Sequence, residues 1–358
     1  MPKPTLHQFI VGALPGDAIT DQALLLRRWL RQAGIRSEIY AESIDEALAG
    51  EVRSYLQYSP SRPGELVVLH HSIGSAAADW LLGEDVRFLL VYHNITPPRF
   101  FAGVDPGLGV QLRKGRRQLE SLCGRTVLGL ADSLFNEREL QATGFSSTGV
   151  LPIALDRAQY DIPPSLQLMA RYGGGGPNLL FVGRLAPNKR QGDLIKLLYH
   201  LRRIHPASRL FLVGLPWVKT YEVWLRGLAH DLGLENAVVF ADHVSQSDLV
   251  AYFQLADFYV SMSEHEGFGK PLVESMLFDL PVVAFAAGAV PETLGGAGVL
   301  FRHKDHEALA ELIDLLVVDE ALRQRVLARQ RERVRRFMAP AVRRRWSDFL
   351  ARVGYVVE

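Results

Sequence analysis

The chain has 358 residues, of which 48% are hydrophobic and 22% charged, with a formal net charge of +1. This length exceeds what one ordinary hydrophobic core holds, so we expect two domains. The balanced charge argues against a nucleic-acid partner, and the single cysteine, Cys123, excludes an internal disulfide and fits a reducing compartment. We expect a cytoplasmic protein without signal peptide or spanning helix, because no apolar run approaches about 18 residues.

Strand and helix patterns alternate over the first half of the chain. Strands are predicted at residues 9–14, 36–40, 66–69, 88–92, 126–131 and 149–153. Helices are predicted at residues 21–33, 43–57, 110–122 and 136–143. This alternation predicts a doubly wound parallel sheet, in which ligands bind beyond the carboxyl ends of the strands.

Polar residues follow three of these strands: Gly16 and Asp17, then His70 and His71, then His93 and Asn94. The first loop has one glycine where a dinucleotide fingerprint has three, which disfavours an NAD site. Asp17 is a candidate substrate residue, or else a plain turn residue at a helix start. Each histidine could hydrogen-bond a substrate or serve a structural role at its strand end, and the position of His93 favours a site role.

Two aromatic residues, Phe100 and Phe101, precede a basic cluster in the first half. The cluster comprises Arg113, Lys114, Arg116 and Arg117. Aromatic side chains beside basic ones suit contact with an anionic membrane. The alternative is a solvated helix face with two core aromatics.

The second half begins after a glycine-rich joint, residues 173–176, with a strand predicted at 178–182. Gly183 then allows a turn, and Arg184 and Lys189 present two cations from one loop, which suits a diphosphate. Further strands are predicted at residues 209–213, 238–241, 257–260 and 281–285.

A glycine-rich loop and a helix lie between the last two of these strands. The start of this helix is suited to bind phosphate, because Gly267 and Gly269 precede it and Pro271 lies in its first turn. Glu266 and Glu274 flank this start, and ionised carboxylates are acceptors suited to sugar hydroxyls.

Together, the segments G-R-L-A-P-N-K and E-G-F-G-K-P-L-V-E resemble the Gly-Arg-x4-Lys and Glu-x7-Glu motifs of retaining, nucleotide-sugar-dependent glycosyltransferases of the group-1, GT4-like family. The resemblance implies the GT-B fold, an α/β architecture of two Rossmann-like doubly wound parallel-sheet domains facing each other across a cleft. It implies an acceptor domain at residues 1–165, a nucleotide-sugar domain at 166–335, and a helix at 336–358 that crosses back onto the first.

The resemblance also implies roles for individual residues. Arg184 and Lys189 would bind the diphosphate, Glu274 the ribose, and Glu266 with the amides of residues 268–270 the sugar. The other implied donor contacts are Gly214, His243 and Val244 near the base, and Phe268, Gly269, Lys270, Pro271 and Leu272 at the helix start. His93 would reach the transferred sugar, while Gly16, Asp17, His70, His71 and Asn94 would lie on the acceptor side. Ala289 and Val290 depart from the family's usual glycine and polar residue.

The expected activity is metal-independent transfer of a hexose, with retention, from a UDP- or GDP-sugar to a glycan or lipid-linked glycan. No Asp-x-Asp motif occurs, and we expect neither metal nor cofactor. Bacterial surface polysaccharide assembly, with a peripheral contact on the inner face of the cell membrane, is the expected setting. The alternatives are a sugar-nucleotide epimerase of the same fold and a catalytically silent carbohydrate- or partner-binding protein.

Overall fold

The computed structural model describes residues 4–355. The strands are β1 (Gln8–Ala13), β2 (Ile39–Ile44), β3 (Val52–Ser54), β4 (Glu65–His71), β5 (Val86–Tyr92), β6 (Thr126–Ala131), β7 (Thr148–Val150), β8 (Asn178–Val182), β9 (Arg209–Val213), β10 (Val238–Ala241), β11 (Phe258–Ser261), β12 (Val282–Phe285) and β13 (Val299–Phe301). The α-helices are α1 (Ala18–Gln32), α2 (Ala76–Gly83), α3 (Pro106–Leu122), α4 (Leu134–Thr143), α5 (Leu166–Tyr172), α6 (Gln191–Ile204), α7 (Lys219–Asp231), α8 (Gln246–Leu255), α9 (Lys270–Leu277), α10 (Val290–Leu294), α11 (His306–Val318), α12 (Glu320–Val334) and α13 (Ala339–Arg352).

The chain divides into two compact units. Unit 1 runs to Ala154 and resumes at Ala339, and unit 2 is Leu155–Met338. The chain therefore passes from unit 1 into unit 2 between Ala154 and Leu155, whereas the expected boundary lay after residue 165. It returns to unit 1 after Met338, whereas the expected boundary lay after residue 335. The last helix, α13, is part of unit 1, where Val342, Trp346 and Leu350 are buried in its core.

Unit 1 contains a seven-stranded sheet in the order β3-β2-β1-β4-β5-β6-β7, with every pair parallel. The strand order reverses between β1 and β4, which makes the loops after these two strands the expected ligand-binding edge. The predicted doubly wound sheet is confirmed.

The helix predicted at residues 43–57 is wrong. β2 continues to Ile44, Asp45 caps a single 3₁₀ turn, and β3 then pairs in parallel with β2 through Val52 opposite Ile39. Gly50 and the β-branched Val52 disfavour continuation of the turn as a helix, and the free edge of β2 provides a strand partner. Helix α2, which begins after the N-cap Ser75, was also not predicted.

Unit 2 contains a six-stranded parallel sheet in the order β10-β9-β8-β11-β12-β13. β8, β9 and β10 have the predicted bounds. The order reverses between β8 and β11, so the loops after these strands meet at the switch point of this sheet. Within residues 4–355, none of the helices combines the length and the apolarity that crossing a membrane requires.

Candidate functional site

Two charged side chains from sequence-distant loops meet at the switch point of unit 2. Lys189 follows β8 and Glu266 follows β11, and the Nζ atom of Lys189 lies 2.6 Å from Oε2 of Glu266. Their side chains are 21% and 13% exposed, so the pair is only partly screened by water. A cation and a hydrogen-bond acceptor are thereby held side by side.

The loop of Arg184 is braced by the loop after β9. Leu185 exchanges two backbone hydrogen bonds with this neighbouring loop: its N–H donates to the carbonyl oxygen of Leu215, and its carbonyl oxygen accepts from the N–H of Trp217. The exposed guanidinium of Arg184 lies 5.1 Å from the centre of the Trp217 ring, a cation–π contact. Trp217 was not predicted as a site residue, since its role depends on this loop pairing.

One glycine of the predicted site, Gly214, is needed for a close approach of backbone. Gly214 has a φ of +141°, and a Cβ atom there would lie 2.4 Å from the carbonyl oxygen of Gly183. Any side chain at Gly214 would push the β8 loop away from the β9 loop. The next strand end carries His243, which is exposed, and Val244, which is half-buried.

Helix α9 begins at the site as expected from the sequence. Gly269 has a φ of +82°, offers no side chain to cap the helix, and is followed by Lys270 and Pro271. The first-turn N–H groups and the helix dipole give this end a partial positive charge. Phe268 and Leu272 are buried on either side of it, 4% and 2% exposed, and contribute packing rather than accessible side chains.

Glu274 is buried within α9, at 3% exposure. Its Oε1 atom accepts a hydrogen bond from the hydroxyl of Tyr160 at 2.5 Å and lies 3.5 Å from Nζ of Lys270. Tyr160 was not predicted as a site residue. It lies 114 positions before Glu274, in the segment that enters unit 2, and no spacing pattern connects the two.

The turn after β12 supports the backbone of Glu266. Gly288 has a φ of +55°, and a Cβ atom there would lie 2.4 Å from the carbonyl oxygen of Glu266, which accepts a hydrogen bond from Ala289 N–H at 2.9 Å. Ala289 and Val290, the two residues that depart from the family pattern, are both fully buried. This turn therefore holds the loop through its backbone.

A charged network lies beside the same loop. Nζ of Lys304 lies 3.1 Å from Asp193 and 2.8 Å from Glu264, and Nε of Arg190 lies 3.1 Å from Asp193. Although burial alone would raise the pKa of Asp193, Arg190 and Lys304 hold it below its ordinary value. Since Glu264 lies two residues before Glu266, the network orders the loop that carries the site carboxylate.

In unit 1, the loop after β1 makes the helix-capping contacts of one of the two interpretations that the sequence left open. Gly16 has a φ of +75°, and Oδ2 of Asp17 accepts hydrogen bonds from the N–H groups of Ile19 and Thr20. Asp17 is thus the N-cap of α1.

His71 does not present its ring to a ligand. It is fully buried, and its Nε2 atom donates to the carbonyl oxygen of Gly115 at 2.9 Å, which ties α3 to the end of β4. Burial lowers its pKa to about 4, so the imidazole is neutral at pH 7. The expected contact with an acceptor is replaced by this internal bond.

His70 and His93 form a buried chain with two further residues. Nδ1 of His70 lies 2.8 Å from Nε2 of His93, Nε2 of His70 lies 3.0 Å from Gln8, and Nδ1 of His93 lies 3.0 Å from Asp132. The side chains of His93 and Asp132 are each 2% exposed. Both ring nitrogens of His93 are therefore engaged inside unit 1, and the expected contact of this imidazole with the sugar stays a prediction. Gln8 and Asp132 were not predicted from the sequence.

Asn94 is held in the left-handed conformation, with a φ of +69°. Its amide donates to Asn136 at 2.9 Å and to Glu139 at 3.3 Å, and Glu139 also pairs with Arg116 at 2.6 Å. These contacts define the geometry of the turn after β5.

The aromatic-basic segment is only partly accessible. Phe101 is fully buried, whereas Phe100 is half-buried. Lys114 pairs with Asp79 at 2.8 Å. The exposed face of α3 carries Val110, Arg113 and Arg117, spaced three and four residues apart on one side of the helix.

No group of three or more histidine, cysteine, aspartate or glutamate side chains suited to a metal ion occurs in the part of the chain that the structure describes.

The match to a known family lies within unit 2. Residues 173–333 match the family described as glycosyl transferases group 1. The chain is 29% identical over 210 residues to a GDP-mannose-dependent alpha-(1-6)-phosphatidylinositol monomannoside mannosyltransferase of Mycobacterium tuberculosis, covering 55% of this chain and 54% of that relative. It is 30% identical over 270 residues to a glycogen synthase of the same species, covering 72% and 63%. The chain thus spans about half the length of the first curated relatives it matches.

Solved structures align along nearly the whole chain. The Anabaena protein HepE in complex with UDP and glucose superposes with a TM-score of 0.76 at 20% identity, covering 97% of this chain and 99% of that one. The sucrose-phosphate synthase of Thermosynechococcus elongatus gives a TM-score of 0.74 at 18% identity, covering 98% and 99%. At these identities the likeness shows the fold, which is GT-B.

Proposed function

Because the chain belongs to the group 1 glycosyltransferase family and has the GT-B fold, we propose that it transfers a hexose from a nucleoside diphosphate sugar to a glycan acceptor. The observation that carries this proposal is the meeting of Lys189 and Glu266 at 2.6 Å on the switch-point edge of unit 2, within the residues that match the family. A cation for phosphate and a carboxylate for sugar hydroxyls are needed at neighbouring positions in such a donor site.

The diphosphate would be held by Arg184, Lys189 and the start of α9. The planar guanidinium of Arg184 can bind two phosphate oxygens at once, and the stacked Trp217 ring restricts where it points. Lys189 supplies a compact charge, and the phosphate would share its Nζ atom with Glu266. The N–H groups that follow Gly269 would face the same anion.

The ribose and the sugar would be bound by the two carboxylates. Glu274 would accept from ribose hydroxyls, with its Oε1 atom already oriented by Tyr160. Glu266 would accept from the sugar, together with the amides of residues 268–270. Gly214, His243 and Val244, at the ends of β9 and β10, would border the base.

We propose that the transfer proceeds with retention and without a metal. The acceptor would attack on the face from which the diphosphate leaves, and the departing phosphate would take the acceptor proton, so no enzyme nucleophile is required. Arg184, Lys189 and the α9 dipole would stabilise the leaving charge, and removing one such contact typically costs about 3 kcal/mol in the barrier. Activity unchanged in EDTA and an α-anomeric product from an α-linked donor are the expected outcomes, both measured by proton NMR of the product.

Acceptor contacts would come from the loops at the carboxyl edge of unit 1. Because the imidazoles of His70, His71 and His93 are bound internally, the turn at His93 and Asn94 would contribute backbone atoms rather than ring nitrogens. A lipid-linked acceptor in bacterial surface polysaccharide assembly is our proposal for the substrate class, with the basic face of α3 toward an anionic membrane.

The donor site is tested by thermal shift with UDP, GDP, ADP and NAD on wild type, on Lys189→Ala and on the control Lys196→Ala, an exposed lysine of α6. A ligand at ~100 times its dissociation constant stabilises the folded state by about 2.7 kcal/mol. We expect a shift with one nucleoside diphosphate that is lost only in Lys189→Ala. A shift with NAD alone, or none, contradicts the proposal. Turnover of the sugar nucleotide without any acceptor would favour the epimerase.

The membrane contact is tested by flotation with anionic vesicles. Arg113→Glu combined with Arg117→Glu should abolish binding, because the electrostatic attraction is reversed. Arg344→Glu combined with Arg345→Glu changes the net charge equally on exposed residues of α13 and serves as the control. Equal loss in both double variants, or no binding by wild type, would refute the contact.

A further inference from the structure

Four buried side chains from neighbouring strands form one continuous hydrogen-bonded chain in unit 1. Asp132 and His93 lie just after β6 and β5, His70 lies near the end of β4, and Gln8 begins β1. The links are 3.0 Å, 2.8 Å and 3.0 Å long, and the two imidazole planes are within 5° of each other. In each link, the protonation of the imidazole nitrogens decides which atom donates the hydrogen bond.

The direction of the hydrogen bonds is set at Gln8. Its side-chain nitrogen donates to the carbonyl oxygen of Ala23 at 3.0 Å, and a carbonyl oxygen only accepts. The amide oxygen of Gln8 therefore faces His70, which must donate from Nε2. Burial and the neighbouring His93 hold the pKa of His70 well below its ordinary value, so this ring is neutral and its Nδ1 accepts.

It follows that Nε2 of His93 donates to His70. The tautomer of His93 with a bare Nε2 would place two lone pairs 2.8 Å apart and is excluded. The remaining link, between Nδ1 of His93 and Oδ2 of Asp132, then contains one proton, whichever atom holds it. Either way the pair has no net charge, which suits its burial. Burial also raises the pKa of Asp132, against the opposing effect of His93.

The surroundings of the other carboxylate oxygen of Asp132 are consistent with one proton in the link to His93. Oδ1 is buried and has no hydrogen-bond partner in the range 4–355. An ionised carboxylate with one bare buried oxygen is costly, whereas a carboxylate sharing a proton carries less charge there. The other titratable groups close to this chain are His71, which is neutral, and beyond the turn Glu139, which is paired with Arg116.

We propose that Gln8, His70 and Asp132 are positioning residues, which hold His93 with a protonated Nε2 and with a single proton between its Nδ1 and Asp132, and so fix the turn at His93 and Asn94. That turn lies at the carboxyl edge of the unit 1 sheet, where the acceptor would bind; this last step rests on the proposed function.

The proton count is tested by nitrogen-15 NMR of the histidines in the full chain between pH 5.5 and 9. We expect His70 to show a protonated Nε2 and a bare Nδ1 throughout, and His93 to keep its Nε2 proton, with signals assigned through His70→Gln and His93→Gln. A bare Nε2 on His93 at pH 7, or independent titration of both rings near pH 6.5, would overturn the assignment. This result does not depend on any activity.

The positioning role is tested with two variants of Asp132. Asp132→Asn can donate its amide to Nδ1 of His93 and should keep the acceptor KM within about threefold of wild type. Asp132→Leu leaves Nδ1 without a partner and should raise that KM at least about tenfold, which corresponds to 1.4 kcal/mol. The nucleoside diphosphate thermal shift should be unchanged in both. Equal KM values for folded Asn and Leu variants would refute the positioning role, whereas a wild type that transfers no sugar would refute the proposed function instead.

Discussion

The buried His71 predicts a measurable loss of stability in acid. Its pKa is about 4 in the folded chain, whereas the ordinary value is 6.5. Below pH 6.5 the unfolded chain binds a proton at this position that the folded chain does not, so the stabilising effect present above pH 6.5 is lost as the pH falls toward 4. The difference of the two pKa values corresponds to about 3 kcal/mol at 1.36 kcal/mol per unit.

The assay compares urea unfolding of wild type and His71→Gln at pH 7 and pH 4.5. A glutamine can place its amide nitrogen near the position of Nε2 and keep the bond to Gly115 without titrating. The free energy of unfolding should fall between these pH values by about 2–3 kcal/mol less in His71→Gln than in wild type. His243→Gln, at an exposed position, should show the wild-type fall. If His71→Gln loses as much stability as wild type, His71 is accessible to protons in the folded chain and the assigned burial is refuted.

Two further variants probe the backbone and the carboxylate of the donor site. Gly288→Ala should lower stability by about 1–3 kcal/mol and impair transfer, because its Cβ would lie 2.4 Å from the carbonyl oxygen of Glu266. Gly296→Ala is the control, because Gly296 also has a positive φ but no atom lies within 4 Å of the added Cβ, so this variant has the backbone strain without the clash. Equal losses of unfolding free energy in the two variants, measured by urea unfolding, would contradict the packing argument. Tyr160→Phe should raise the donor KM by about five- to tenfold with kcat nearly unchanged, since one hydrogen bond orienting Glu274 is worth about 1 kcal/mol. Steady-state kinetics showing a fall in kcat alone would assign Tyr160 a different role.

Much of unit 2 could be read from local sequence. β8, β9 and β10 were predicted with their observed bounds, because each is a short apolar run bounded by turn residues. Gly183, Gly214 and Gly269 were likewise identified, since glycine at the end of a strand or the start of a helix signals a backbone geometry that other residues rarely adopt.

The same local reasoning was wrong where a neighbouring strand provided a stronger partner. Residues 43–57 have a helical pattern, but Val52 pairs with the free edge of β2. For Phe101, the sequence left open both a membrane face and the core, and the structure places it in the core. Polarity and spacing describe one segment at a time, and burial depends on what packs against it.

The sequence by itself determined the two alternating sheet units, the glycines that shape the unit 2 loops, and the residue types of the proposed donor site. Only the tertiary structure decided that Lys189 meets Glu266 across 77 positions, that Tyr160 orients Glu274, and that Gln8 and Asp132 are linked through two buried imidazoles. For Lys189 and Glu266 the physical reason is that the neighbouring parallel strands β8 and β11 bring their carboxyl ends to one edge whatever their separation along the chain. Local spacing shows which groups reach that edge, but the strand order decides which of them are neighbours.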